Sequence, residues 1–471
     1  MRWCPWALTA TVLSALLTAP TVTQAQATVT PAIWPGYTPK IFRWDEDYSS
    51  LRDQEGPLPY PLRLKFIPLG DTSYLSLGGD YRFRTDDYDH PDFGMRLAPG
   101  FTSLEHRLML HADVHFGPDT RVYVELGDDL EDGRKPVPRP SDHSQVDVAQ
   151  AFVDWSWGSL QERWRLRLGR QEVAVGRYVA IRDATNIRRT FDGVRIDGSI
   201  AHWTLIGVIA AATRNRPSAF DDDPDPNDGI ALLVAEHALP IEGFKLDFSA
   251  LQHNNKAARY AQGVGDERRR TLGIRTFGAR DGWDLDTQAS YQFGTFNPIR
   301  GPSFDIRAWG VAFEGGRTFA LPWSPRVALR ADMASGGNHA DRRQLGTFDL
   351  PYPNLSYLSE AAIFAPRNVR DLQPFLSVAP IKPVTLTVGA EFLWRNTSTD
   401  AVYSAINTPI IGPGGHGSYL ATQPYARLDW RFTPLVELQG AIVRALPGSA
   451  LDSFHGNRQL NFFFTSLTVR F

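Results

Sequence analysis

Gly169-Arg170-Gln171-Glu172 is followed closely by Gly176-Arg177, Arg182, Asn186 and Arg188-Arg189-Thr190-Phe191-Asp192-Gly193. Arginine at that density is chemistry for anions. Each guanidinium stays charged and presents a planar fork of donors that matches a carboxylate or phosphate in bidentate fashion. The flanks alternate apolar and charged residues, so the stretch reads as a strand, a glycine-broken loop and a second strand returning antiparallel. Gly176 permits a tight backbone path that a Cβ would resist.

Other chemistries fail on spacing. His111 and His115 share a face, but on a strand they stand about 13 Å apart, too far to chelate one zinc. Gly412-Pro413-Gly414-Gly415-His416-Gly417 lacks the lysine and hydroxyl of a nucleotide loop and reads as a flexible external loop. Asp221 to Gly229 has carboxylates at calcium-like spacing, but its glycine is displaced and no bidentate glutamate follows, so it reads as a solvated loop. A lipid hydrolase of barrel type would need serine and histidine on the lipid-facing rim, whereas the histidines fall at lumen or loop positions. No catalytic site, metal or cofactor is expected, and the protein is not read as an enzyme.

The elements that must position the arginines follow from rhythm. Of 471 residues, 12% are aromatic and 21% charged. No apolar run in the mature chain reaches the roughly 18 residues of a membrane helix. A barrel needs only every second residue apolar, and one closed barrel can use the whole chain. From Tyr74 onward, 18 segments of alternating character are separated in turn by short turns and long polar connections. The short ones include 117 to 120, 197 to 202, 279 to 282 and 433 to 434, and are expected on the periplasmic side. The long ones include 127 to 145, 171 to 190, 213 to 228, 253 to 269, 336 to 370 and 396 to 418, and are expected outside or folded into the lumen. The fold class is therefore all-β, a transmembrane antiparallel up-and-down barrel of about 18 strands.

Residues 1 to 27 read as a secretory signal, with Arg2, an apolar run from Trp6 to Leu17 and the small-residue site Ala25-Gln26-Ala27. The sole cysteine, Cys4, lies inside it, so no disulfide is expected. Losing Arg2 takes the formal charge from −3 to −4, which gives no reason to expect a nucleic-acid partner. Residues 28 to 72 are expected to be a proline-rich periplasmic lead-in with a short strand at Leu62 to Phe66, and residues 73 to 471 the barrel. Backward from Phe471, the residues Val469, Leu467, Thr465 and Phe463 form a period-two stripe suited to lipid. Such a final strand resembles the signal read by the outer-membrane assembly machinery.

The pattern GRQ-E…G-R…N-x-R-x-T-F-D-G resembles the signature of the alginate-export family of bacterial outer-membrane barrels. Phe42-Arg43-Trp44-Asp45-Glu46-Asp47-Tyr48, Gly78-Gly79-Asp80-Tyr81-Arg82 and the terminal Phe471 support it. The resemblance is strongest over residues 40 to 200 and implies passage of an anionic uronate polysaccharide across the outer membrane of a Gram-negative bacterium. The partners expected are that polysaccharide or its oligosaccharides, outer-membrane lipid, the assembly machinery and a periplasmic secretion partner, with the barrel monomeric.

Alternation assigns the lumen side chains once the lipid face is fixed. Arg82 and Arg84 oppose Tyr81 and Phe83, and Arg107 opposes Leu108. Arg165 and Arg167 oppose Leu166 and Leu168, and Arg195 opposes Val194. Arg330, Arg395, Arg427 and Arg431 follow in the same way, while Arg170, Arg188 and Arg189 extend the set towards the external mouth. Two roles compete for each: binding an anionic substrate at several weak sites, or pairing with carboxylates to brace the wall. Three functions remain open on these residues. They are passive export or diffusion of a uronate polymer, a porin for small anionic nutrients, and a surface or structural barrel plugged by its loops.

Overall fold

The structure, a computed structural model, describes residues 39–95, 99–135, 137–159 and 162–471. The signal segment lies outside the described residues. Eighteen long strands run antiparallel in chain order: β1 Tyr74–Asp89, β2 Phe101–Phe116, β3 Thr120–Asp132, β4 Ser144–Gly158, β5 Arg163–Glu172 and β6 Thr190–Ile200. They continue as β7 Trp203–Arg214, β8 Asp223–Ala238, β9 Phe244–Tyr260, β10 Gly263–Arg280, β11 Trp283–Pro298 and β12 Phe304–Thr318. The last are β13 Arg326–Ala334, β14 Val369–Ile381, β15 Val384–Arg395, β16 Tyr419–Thr433, β17 Val436–Pro447 and β18 Leu460–Arg470. The first and last strands pair from Asp80↔Arg470 to Asp89↔Asn461, which closes the barrel and leaves no edge.

Each segment read from alternation is a strand, yet the wall is taller than expected on one side. Residues 253 to 269, expected as a long loop, continue β9 and β10 up to a turn between Tyr260 and Gly263. Half of 213 to 228 is likewise strand, with Arg214↔Asp223 paired across the hairpin. Polar residues on both faces erased the period-two signal there, although the backbone ladder runs on past the lipid zone into water. The Asp221 to Gly229 stretch is therefore largely β8 rather than a loop.

The expected strand at 62 to 66 is instead a short helix, α1 Leu62–Lys65, which buries Leu62 and Lys65. Its single turn follows Pro61, whose fixed φ suits a helix start. The lead-in enters the barrel. Trp44 is buried against Tyr123 and Phe152 of the wall, its indole nitrogen donates to Glu172 at 3.1 Å, and Arg43 donates to main-chain oxygens of Gly79 and Phe471.

Two long connections also fold inward. Residues 173–189 and 335–368 meet where Val179 and Tyr352 form a bridge, with Ala180 donating to the Tyr352 carbonyl at 2.9 Å. Phe93, Val173, Tyr178, Val179, Tyr352 and Phe364 pack with Val208, Leu232 and Leu251, which point inward from β7, β8 and β9. Burial of these apolar side chains holds the loops inside, because a loop left in water would expose them all.

Candidate functional site

Between the wall of β1, β2, β13, β16, β17 and β18, the lead-in and the two infolded loops lies a cavity of about 440 Å³. Its lining carries ten basic side chains: Lys40, Arg43, Arg82, Arg84, Arg107, Arg188, Arg330, Arg427, Arg431 and Arg470. Four carboxylates oppose them, those of Asp80, Asp183, Glu360 and Glu437. Strand alternation delivers the wall members, since Tyr81 faces lipid while Asp80, Arg82 and Arg84 are buried inside.

Most of these cations are partly compensated. Arg107 meets Asp183 at 2.9 Å, and Arg84 meets Asp86 at 2.6 Å. Arg188 meets Glu172 at 3.0 Å, Arg330 meets Glu314 at 2.8 Å, and Arg470 meets Glu437 at 2.8 Å. Arg427 pairs with Asp429 at 2.8 Å and with Glu360 of the infolded loop. Arg82 donates to the carbonyl of Thr185 at 2.8 Å and so ties the arginine-rich loop to the wall. Arg431 is exposed to the cavity and has no ion pair among the described residues.

Asp183 sits at the crossing of three guanidiniums. The enclosing barrel pushes its carboxyl up even though the side chain is half exposed to the cavity, but Arg107, Arg188 and Arg82 outweigh that and hold it well below the usual carboxylate range. The loop is thus anchored by charge as well as by its apolar side chains. Asn186 adds donations to the carbonyls of His106, Leu130 and Asp142.

Of the arginines expected in the lumen, Arg82, Arg84, Arg107, Arg188, Arg330, Arg427 and Arg431 come together at this cavity. The others do not. Arg165 and Arg195 share Asp197, Arg167 makes a two-pronged pair with Asp154 at 2.7 and 2.8 Å, and all three surround the Trp44 ring. Arg170 pairs with Asp192 at 3.0 Å, and Arg189 lies over Tyr352. Arg395 donates to the Gly417 carbonyl and holds the external segment 414–417. These six brace wall, plug and loops.

Three lining cations escaped the sequence reading. Arg470 was accessible to it, since it alternates with Val469 on the last strand. Lys40 and Arg43 lie in a segment without periodicity, so nothing in the sequence placed them in the lumen.

A sequence profile described as Alginate export matches residues 73–462. The chain belongs to the alginate-export family. Curated protein sequences yield no match. Among solved structures, this alginate-export barrel is similar to the outer-membrane protein OpdK from Pseudomonas aeruginosa, at 12% identity over 86% of this chain and 99% of that one, with a TM-score of 0.55. OccAB1 from Acinetobacter baumannii matches at 11% identity over 84% and 96% of the two chains, TM-score 0.56. OccK2 (OpdF) from Pseudomonas aeruginosa, solved in complex with glucuronate, matches at 14% identity over 86% and 98%, TM-score 0.53. At such identities the likeness is one of fold. Family and fold together make this alginate-export protein an outer-membrane β-barrel channel of a Gram-negative bacterium.

Proposed function

We propose that the barrel passes sugar acids, in the form of uronate polymers or their oligomers, with the carboxylates handed between lumen arginines. The observation that carries this is the excess of basic over acidic side chains on one cavity of an otherwise slightly acidic chain. A narrow channel with low-dielectric walls focuses such a field and concentrates anions. Several partly compensated arginines bind weakly enough to release, as passage requires.

A second reading, a porin for small sugar acids, is favoured by the narrowness of the cavity. The lead-in and two loops leave about 440 Å³, room for a few sugar units rather than a wide bore. The glucuronate held by the fold neighbour OccK2 is of that size class. Planar-bilayer conductance separates the readings. Block of an anion-selective current by oligouronates, with free glucuronate leaving it unchanged, supports polymer passage; equal block by the monomer supports the porin. A barrel that stays silent after deletion of 337–366 sinks both and leaves a plugged structural barrel.

A further inference from the structure

The outer surface of β9 to β12 carries a group of exposed cations beside apolar and aromatic side chains. In register across these strands, Gln252, Arg270, Phe293 and Arg307 form one outward-facing row. The row below it is Ala250, Leu272, Tyr291 and Trp309, and Arg268 stands in the row above. Arg268, Arg270 and Arg307 are exposed and make no ion pair among the described residues. Two carboxylates face the same way, Asp305 in Arg268's row and Asp266 one row beyond, and neither pairs with these arginines among the described residues.

The height of this row follows from β11. Trp283, exposed at its periplasmic end, and Phe293 both face outward. The ten residue steps from one to the other, at a strand tilt of about 40°, rise about 25 Å, the span of the apolar band between two aromatic girdles. Tyr291, Phe293 and Trp309 therefore mark the outer girdle, and the arginines sit at the headgroup level of the outer leaflet. Arg270 and Arg307 flank Phe293 from the two neighbouring strands, about 10 Å apart.

Along this row and the one below it, an apolar groove of about 490 Å³ runs sideways across β6 to β11 on the lipid face. Gly207, Ala231 and Ala250 give it depth, and Ile209, Leu233 and Leu272 stand beside them, exposed. Gln252 and Arg270 line it in the same row as Ile209 and Ala231, with Arg270 and Phe293 at its β10 and β11 end. A cationic patch continuous with a chain-sized apolar trough matches a lipid that carries phosphate at its head and an acyl chain beside it.

We propose that this face is a specific site for a phosphorylated, acylated lipid of the outer leaflet, its phosphate on Arg270 and Arg307 and one acyl chain in the groove. Purified barrel in detergent, titrated with a diphosphorylated acyl-disaccharide lipid and read by native mass spectrometry, tests it. Retention of the lipid is expected. The double variant Arg270→Gln with Arg307→Gln should bind at least tenfold more weakly, and Ala250→Phe, which fills the groove, should also weaken binding. The same lipid without its phosphates should bind the unaltered protein at least tenfold more weakly. Equal binding by the double variant, equal binding of the dephosphorylated lipid, or displacement of the lipid by inorganic phosphate alone would overturn the proposal. Heat-modified gel mobility reports folding; should the double variant not fold, the dephosphorylated lipid and Ala250→Phe decide.

Discussion

Arg107, on a wall strand, and Asp183, on the infolded loop 173–189, meet at 2.9 Å and tie the loop to the barrel inside the lumen. The same pair both anchors the constriction and subtracts from its positive field. Asp183 also lies 3.5 Å from Arg188.

Asp183→Asn should therefore raise anion selectivity while the barrel still folds. One unit charge about 10 Å from the ion path in water-like dielectric is worth about 0.4 kcal/mol to each ion with opposite sign, or about a fourfold change in the anion-to-cation permeability ratio. Arg82 still holds the loop through backbone carbonyls of Asp183 and Thr185. Reversal potentials in a salt gradient measure the change; a ratio that stays constant or falls contradicts the field argument.

Selectivity and stability should separate between two arginines. Arg431→Gln removes an unpaired cavity charge, so anion selectivity should fall, most at low salt where screening is least, with stability changed by no more than about 0.5 kcal/mol. Arg167→Gln should do the reverse. It strips Asp154 of its two-pronged partner in a fully buried setting, which costs about 3 kcal/mol, while selectivity stays constant. Thermal unfolding in detergent beside bilayer reversal potentials checks both, and a matching response from the two variants would erase the distinction between field and brace.

The division between these arginines was not legible in the sequence. Alternation told inside from outside on β1, β2, β5 and β16, because those strands contrast apolar and charged residues at every step. It could not tell which inward arginine meets a carboxylate, since Arg167 and Asp154 come from different strands whose register only folding fixes. On β7 and β8 the contrast itself vanishes. Val208, Ile230, Leu232 and Val234 are buried inside while Ile209 and Leu233 are exposed outside, since the inner face of that sector covers apolar loops rather than water. The infolding of 173–189 and 335–368 was legible only as unusual length and aromatic content.

Trp44 should control whether the lead-in stays in the lumen. Its ring fills a pocket of Tyr123, Phe152 and the Arg167 guanidinium, the last 4.2 Å from the ring centre. Truncation by Trp44→Ala removes about 3 kcal/mol or more of docking energy, beyond what Arg43 and Lys65 readily replace. The barrel, closed by β1 and β18, should remain folded. Limited proteolysis should then cut within residues 39–66 of the variant at least tenfold faster, with a rise in single-channel conductance. Unchanged cleavage and conductance would mean the lead-in is held by other contacts.

Docking of the lead-in should also respond to pH through Lys65. Burial pushes its ammonium down to about 7 from the usual 10.5, with nearby Arg43 adding to the effect and Glu46 and Asp113 opposing it. The side chain donates to main-chain oxygens of Leu77 and Phe471 and so pins α1 to both strands at one end of the barrel seam. With the docked value below the free one, the free segment binds more protons between these two values, so docking strengthens as pH rises from about 7 towards 10.5. Below pH 7 the buried ammonium must be kept charged, and docking is weakest. Hydrogen exchange across residues 39–66, corrected for intrinsic rates, should show protection rising between pH 6.5 and pH 9 by roughly tenfold or more per unit of free-energy gain of 1.4 kcal/mol. Lys65→Met has no proton to lose and should flatten that dependence; a slope preserved in this variant would assign the response to another group.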